Sequence, residues 1–69
     1  MSAQRLKAFG KEVRRLRKEQ GLSQEALAAR AGLDRSYLGH IERGEKNVTL
    51  TKMYQIADAL CVSPREFLR

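Results

Sequence analysis

Apolar residues recur along this chain at three- and four-residue intervals, and no stretch alternates apolar with polar long enough to make a convincing strand. Leu6, Phe9, Val13 and Leu16 fall at i, i+3, i+7 and i+10, one stripe of a first helix from Ser2 or Ala3 to Glu19. Gln20 and Gly21 end it. Ser23 is placed to cap a second helix, Gln24 to Ala31, with Glu25 adding negative charge at the positive end of its dipole. That helix stops at Gly32, and Asp34 is expected to cap a third in the same way, from Arg35 to about Arg43, ahead of Gly44. After the polar connection Glu45 to Val48, Thr49 caps a fourth helix whose inner stripe is Leu50, Met53, Ile56, Ala57 and Leu60. Ser63-Pro64-Arg65-Glu66 has serine at the cap, proline at the first helical position and glutamate at the third, a capping box that opens a last helical turn carrying Phe67 and Leu68. The pattern predicts an all-α, compact five-helix bundle, one domain over residues 1–69.

The stretch QEALAARAGLDRSYLGHIER, Gln24 to Arg43, is the most informative part of that pattern. Two helices that cross closely need a small side chain at the crossing, which Ala28 supplies, and the turn needs a backbone angle that glycine tolerates, which Gly32 supplies. Leu27 and Ala31 face inward from the second helix, Leu38 and Ile41 from the third, and Leu33 plugs the core from the turn. This is the design of a helix-turn-helix, whose second helix is presented to the DNA major groove. The plainer alternative is an ordinary α-hairpin inside another kind of bundle.

Charge sharpens the picture. Fourteen Lys and Arg against eight Asp and Glu give a formal charge of +6 on 69 residues. A basic surface attracts nucleic acid, an anionic membrane or an acidic protein. No run approaches the roughly 20 apolar residues of a spanning helix, and MSAQRLKAFG lacks the apolar core of a secretory signal. Double-stranded DNA is therefore the expected partner, with no membrane. Cys61 is the one cysteine, which excludes an internal disulfide and a thiolate zinc site and fits a cytoplasmic location; it reads as a small buried hydrophobe near a helix end. With one histidine and no carboxylate pair at a plausible pocket there is no catalytic constellation, so neither an enzyme nor a cofactor or metal is expected.

In the third helix the first turn, and the residue one turn further on, reach base edges. That selects Arg35, Ser36 and His40, with Gly39 beside them. Arg35 is suited to guanine O6 and N7, or else to a phosphate. Ser36 suits either a base or a phosphate, and His40 either a contact or solvent. Gly39 implies close approach to DNA or to a neighbouring helix. Tyr37 can rest its ring on the core edge while its hydroxyl reaches a phosphate. Gln24 sits where the free N–H groups of a helix start favour a phosphate, and Arg43, Lys46 and Asn47 can reach the backbone on the other side. Lys7, Lys11, Arg14, Arg15 and Lys18 of the first helix read as a solvated face that raises the local potential.

The segment LSQEALAARAGLDRSYLGHIERG resembles the helix-turn-helix of the small phage-repressor-like (Cro/C1, XRE-type) regulators, and the resemblance runs from about Leu6 to Leu68. Within that group LDRSYLGHIERGEKNVTL is similar to the controller proteins of restriction–modification systems. The resemblance implies a lambda-repressor-like fold and a homodimeric transcription regulator, acting by occluding RNA polymerase or by recruiting it. It implies a phosphate contact for Gln24. It also implies an ion pair between Arg17 and Glu42, with Arg17 free to face a phosphate as well. One helix-turn-helix reads few base pairs, so two copies on a palindrome are expected. Val62, Phe67 and Leu68, with residues of the fourth helix, are the candidate dimer face; Phe67 has the competing role of closing the monomer core. An antitoxin-like protein-interaction module that does not read DNA is the alternative function.

Overall fold

A computed structural model describes residues 2–67. Its elements are α1 (Ala3–Glu19), α2 (Gln24–Ala31), α3 (Arg35–Glu42), α4 (Leu50–Ala59) and a 3-10 turn, Pro64–Phe67. The described residues contain no strand. All four α-helices thus start where the capping residues place them. Ser2, Ser23 and Thr49 each accept a hydrogen bond from the backbone N–H three residues on. The core is a single cluster of Phe9, Val13 and Leu16 from α1, Leu27, Ala28 and Ala31 from α2, Leu38 and Ile41 from α3, and Met53, Ile56, Ala59 and Leu60 at α4. Leu22, Leu33, Tyr37, Val48, Val62 and Phe67 pack around it.

Four expectations are corrected. The fifth helix is a 3-10 turn rather than an α-helix: Glu66 N–H bonds to Ser63 C=O at 3.0 Å, an i→i+3 link. Four residues are too few to start an α-helical ladder. Leu50 is 58% exposed instead of lining the inner stripe. It shares the helical phase of Ala57, which is fully buried, but stands about two turns away as the first residue of α4. Asp34 has the extended backbone of a cap but makes no side-chain capping bond; its exposed carboxylate is turned to water. Cys61 is exposed, with φ 57°.

The last of these belongs to a motif shared by all four α-helices. Each ends with a backbone N–H reaching five residues back: Leu22 to Arg17, Leu33 to Ala28, Glu45 to His40 and Val62 to Ala57, at 2.9–3.0 Å. The closure requires one left-handed residue just before the donor. At three ends it is a glycine; at the fourth it is Cys61, a residue whose Cβ makes that conformation costly. Side chains from other elements satisfy further end carbonyls: Gln20 Nε2 donates to Leu60 O at 2.6 Å and Gln55 Nε2 to Ala31 O at 3.1 Å.

The placement of α3 depends on a contact that the hydrophobic pattern does not reveal. At Gly10, α1 lies so close to the end of α3 that a Cβ would stand 2.2 Å from Ile41 O. The turn after α3 lies equally close to α1: a Cβ on Gly44 would fall 2.8 Å from Lys7 Cα.

Candidate nucleic-acid interface

Helix α3 is sharply two-sided. Leu38 and Ile41 are 0% and 1% exposed, while Arg35 and Ser36 on its first turn are open to solvent. Neither Arg35 nor Ser36 has a side-chain hydrogen bond or ion pair among the described residues. Their groups are free for a ligand, and the uncapped N-terminus of α3 leaves its first N–H groups free as well. Tyr37 is half-buried with its ring against the core edge, and it lines a shallow groove with Gly32, Leu33, Asp34 and Lys52. The ring therefore lies where the sequence places it.

Behind α3 sits the one buried ionic cluster among the described residues. Arg17 Nε donates to Glu42 Oε2 at 2.7 Å and Nη2 to Glu42 Oε1 at 3.0 Å, a bidentate pair with side chains 10% and 2% exposed. Arg17 Nη1 donates to Leu22 O at 2.8 Å, and Gln24 Nε2 donates to Glu42 Oε1 at 3.0 Å. The carboxylate of Glu42 thus ties α3 to α1 and to the first residue of α2. Arg17 is spent on this cluster and presents little surface to a phosphate. Gln24 is half-buried with its amide N–H committed to Glu42.

Gly39 lies over this cluster. A Cβ there would first meet side-chain ends, Arg43 Nη1 at 3.3 Å and Gln24 Oε1 at 3.7 Å. Gly39 is itself buried, beneath Arg43 and the α2 residue Gln24, so the neighbouring helix approaches it through a side chain.

A second, exposed cluster follows at the end of α3. His40 Nδ1 lies 2.7 Å from Glu45 Oε1, Arg43 Nε donates to the same oxygen at 3.1 Å, and Arg43 Nη2 is 3.2 Å from His40 Nδ1. Nδ1 bonds to Glu45 only when it carries a proton, and accepts from Arg43 only when it does not. The hydrogen bonds from His40 and then Arg43 hold the Glu45 carboxyl below its ordinary range. Two candidate contacts are therefore engaged by a carboxylate that was not singled out in the sequence; an acid two residues from Arg43 and five from His40 was the available signal. Lys46 and Asn47 follow on the exposed connection.

Toward the chain end, Phe67 stacks edge-on against Phe9, ring centroids 4.9 Å apart at 74°. Phe67 and Val62 are half-buried on the monomer core, and Leu68 lies outside the described residues. The large apolar residues left exposed are Leu50 and Tyr54 of α4. The described residues contain no group of three potential metal ligands and no helix long and apolar enough to cross a membrane.

Two short helices joined at a left-handed glycine, the second fixed from behind and polar in front, define a helix-turn-helix DNA-binding module. The chain belongs to the Helix-turn-helix family of the Cro/C1 (XRE) type, whose model matches residues 13–67. It is similar to the restriction–modification controller protein C.AhdI from Aeromonas hydrophila, with TM-score 0.88 and 52% identity over 90% of this chain and 94% of that one. It is 43% identical to control protein C.BamHI of Bacillus amyloliquefaciens (87% of this chain, 75% of the relative). It is 45% identical to control protein C.SmaI of Serratia marcescens (87% and 71%). The chain is a helix-turn-helix transcriptional regulator close to the restriction–modification controllers.

Proposed function

We propose that this regulator acts in the cytoplasm as a homodimer on a palindromic operator, each protomer laying α3 in the major groove. The observation that carries the reading is the pairing of an unencumbered first turn, Arg35 and Ser36, with a helix locked from behind through Glu42. Arg35 reads a guanine; Ser36, Gly39 and His40 complete the base-facing surface. Tyr37, Arg43, Lys46 and Asn47, with the start of α2 at Gln24, contact the backbone. Because the Gln24 amide serves Glu42, its contribution comes chiefly from the N–H groups of the α2 first turn, where the helix dipole also favours a phosphate. Arg17 acts as the positioning residue of α3 rather than as a contact.

The dimer face combines the exposed Leu50 and Tyr54 with the outer edges of Val62 and Phe67 and with Leu68. A two-fold pair sets the recognition helices about 34 Å apart, one turn of DNA. Bound at a promoter, the dimer occludes RNA polymerase or offers it a contact, according to where the operator lies. Selection from a random duplex pool followed by fluorescence anisotropy tests the reading. A palindromic consensus is expected, and Arg35→Ala should weaken the selected site by about 1–3 kcal/mol with little change on scrambled DNA. Absence of any salt-dependent DNA binding would point instead to a protein-interaction module.

A further inference from the structure

Helix α1 segregates its charges. Lys7, Lys11, Arg14 and Lys18 fall at i, i+4, i+7 and i+11, within a sector of roughly 60° at 100° per residue. All four are exposed, and none is in an ion pair or side-chain hydrogen bond among the described residues. The two acids of α1 lie on the other flank. There Glu12 and Glu19 are both taken by Arg15, the second through Nη1 at 2.9 Å. The five cations that looked alike in the sequence are thus one neutralised residue and four free ones in line.

The free line borders the side of α1 that carries Gly10 and Arg17, the residues that touch α3 and Glu42. It begins beside the turn after α3, where Lys7 packs on Gly44 ahead of Lys46 and Asn47. From Lys7 to Lys18 the helix rises about 16 Å, while one DNA strand presents a phosphate about every 3.4 Å of axis. A row of fixed, unpaired cations continuous with the backbone-contact end of α3 fits a phosphate row.

We propose that Lys7, Lys11, Arg14 and Lys18 form a second DNA surface, which holds the sugar-phosphate backbone beyond the base pairs read by α3. The proposal rests on the operator reading above and extends it: the protein grips more duplex than it reads. The four cations supply affinity and draw the flanking duplex toward α1, and they carry no base preference.

The test compares two duplexes with the selected site, one ending at its outer base pairs and one extended by about ten base pairs on each side. Scrambled versions of both are included. The variant is Lys11→Gln/Arg14→Gln/Lys18→Gln, with Lys7 kept because its stem packs on Gly44; circular dichroism confirms its helicity. Wild type should bind the longer duplex more tightly and with a steeper salt dependence. The variant should lose that gain, its log–log salt slope on the longer duplex falling by up to about 2.7 per protomer, with a much smaller change on the short one. An equal fall on both lengths, no fall on either, or no gain from extension in wild type overturns the proposal. So does stripe-dependent binding to phosphatidylserine vesicles without a length effect on DNA. If wild type fails to prefer the selected over the scrambled site, the operator reading falls, while the length effect is still read on the scrambled pair.

Discussion

Glu42 shows how much one residue can be asked to do. Its carboxylate is buried, accepts two bonds from Arg17 and one from Gln24, and so joins three helices at one point. Replacing it with leucine would leave the Arg17 guanidinium buried without a counter-charge, a change that costs about 3–5 kcal/mol. A chain of 69 residues has roughly 3–10 kcal/mol in total at 0.05–0.15 per residue. Glu42→Leu should therefore lose roughly a third or more of that total, a fall in midpoint that urea titration would report; a midpoint near wild type would mean the pair contributes little. Glu45 is the opposite case, exposed and bonded to two candidate contacts. In the proposed complex DNA displaces its carboxylate from Arg43, and the like charge repels phosphate. Glu45→Gln should tighten binding to scrambled DNA and steepen its salt dependence in anisotropy titrations. Because the folded-state value lies below the ordinary 4.5, the carboxylate's support for the fold is complete above about that pH and fades as pH falls through the lowered value. The same variant should flatten that acid limb.

At the scale of the element, the four α-helices share one way of ending, and one of them uses the wrong residue. Cys61 holds φ 57° where the other three ends have glycine, at a cost of roughly 1 kcal/mol or more for a side chain with a Cβ. Its thiol is exposed and gains no burial in return. Cys61→Gly should raise the melting temperature by about 4–8 °C per kcal/mol recovered in a domain of this size; an unchanged or lower value would show that the unfolded chain's added freedom cancels the relief. The crossing of α1 and α3 obeys a different rule. Gly10 is needed because a backbone carbonyl occupies the place of its Cβ, not because of its own φ. Helical periodicity marks apolar side chains, so a glycine chosen for the absence of one leaves no trace in it.

The whole molecule is small, and its proposed dimer face would bury apolar surface that the monomer leaves in water. Phe67 is turned in against Phe9, which leaves Leu50 and Tyr54 as the large apolar residues in water. Leu50→Lys/Tyr54→Lys should leave the helix content intact and shift sedimentation at micromolar concentration from dimer to monomer. A dimer as tight as wild type would move the interface elsewhere. The proposed pairing of recognition helices and the proposed α1 surface would together span more duplex than a single α3 reads.

Four helix starts, the turn at Gly32 and the inward residues of α2 and α3 were legible in the sequence, because capping, glycine conformation and 3.6-residue periodicity are local and act within a turn or two of chain. The sequence likewise placed Arg35 and Ser36 on the outer face, since the burial of Leu38 and Ile41 leaves them no other side. What lay beyond its reach was set by contacts between residues distant in the chain. Tertiary packing turned Phe67 inward, exposed Leu50, spent the Gln24 amide on Glu42 and sorted the cations of α1 into one paired and four free. Periodicity gives the direction in which a side chain points, but only the assembled fold decides what stands there to meet it.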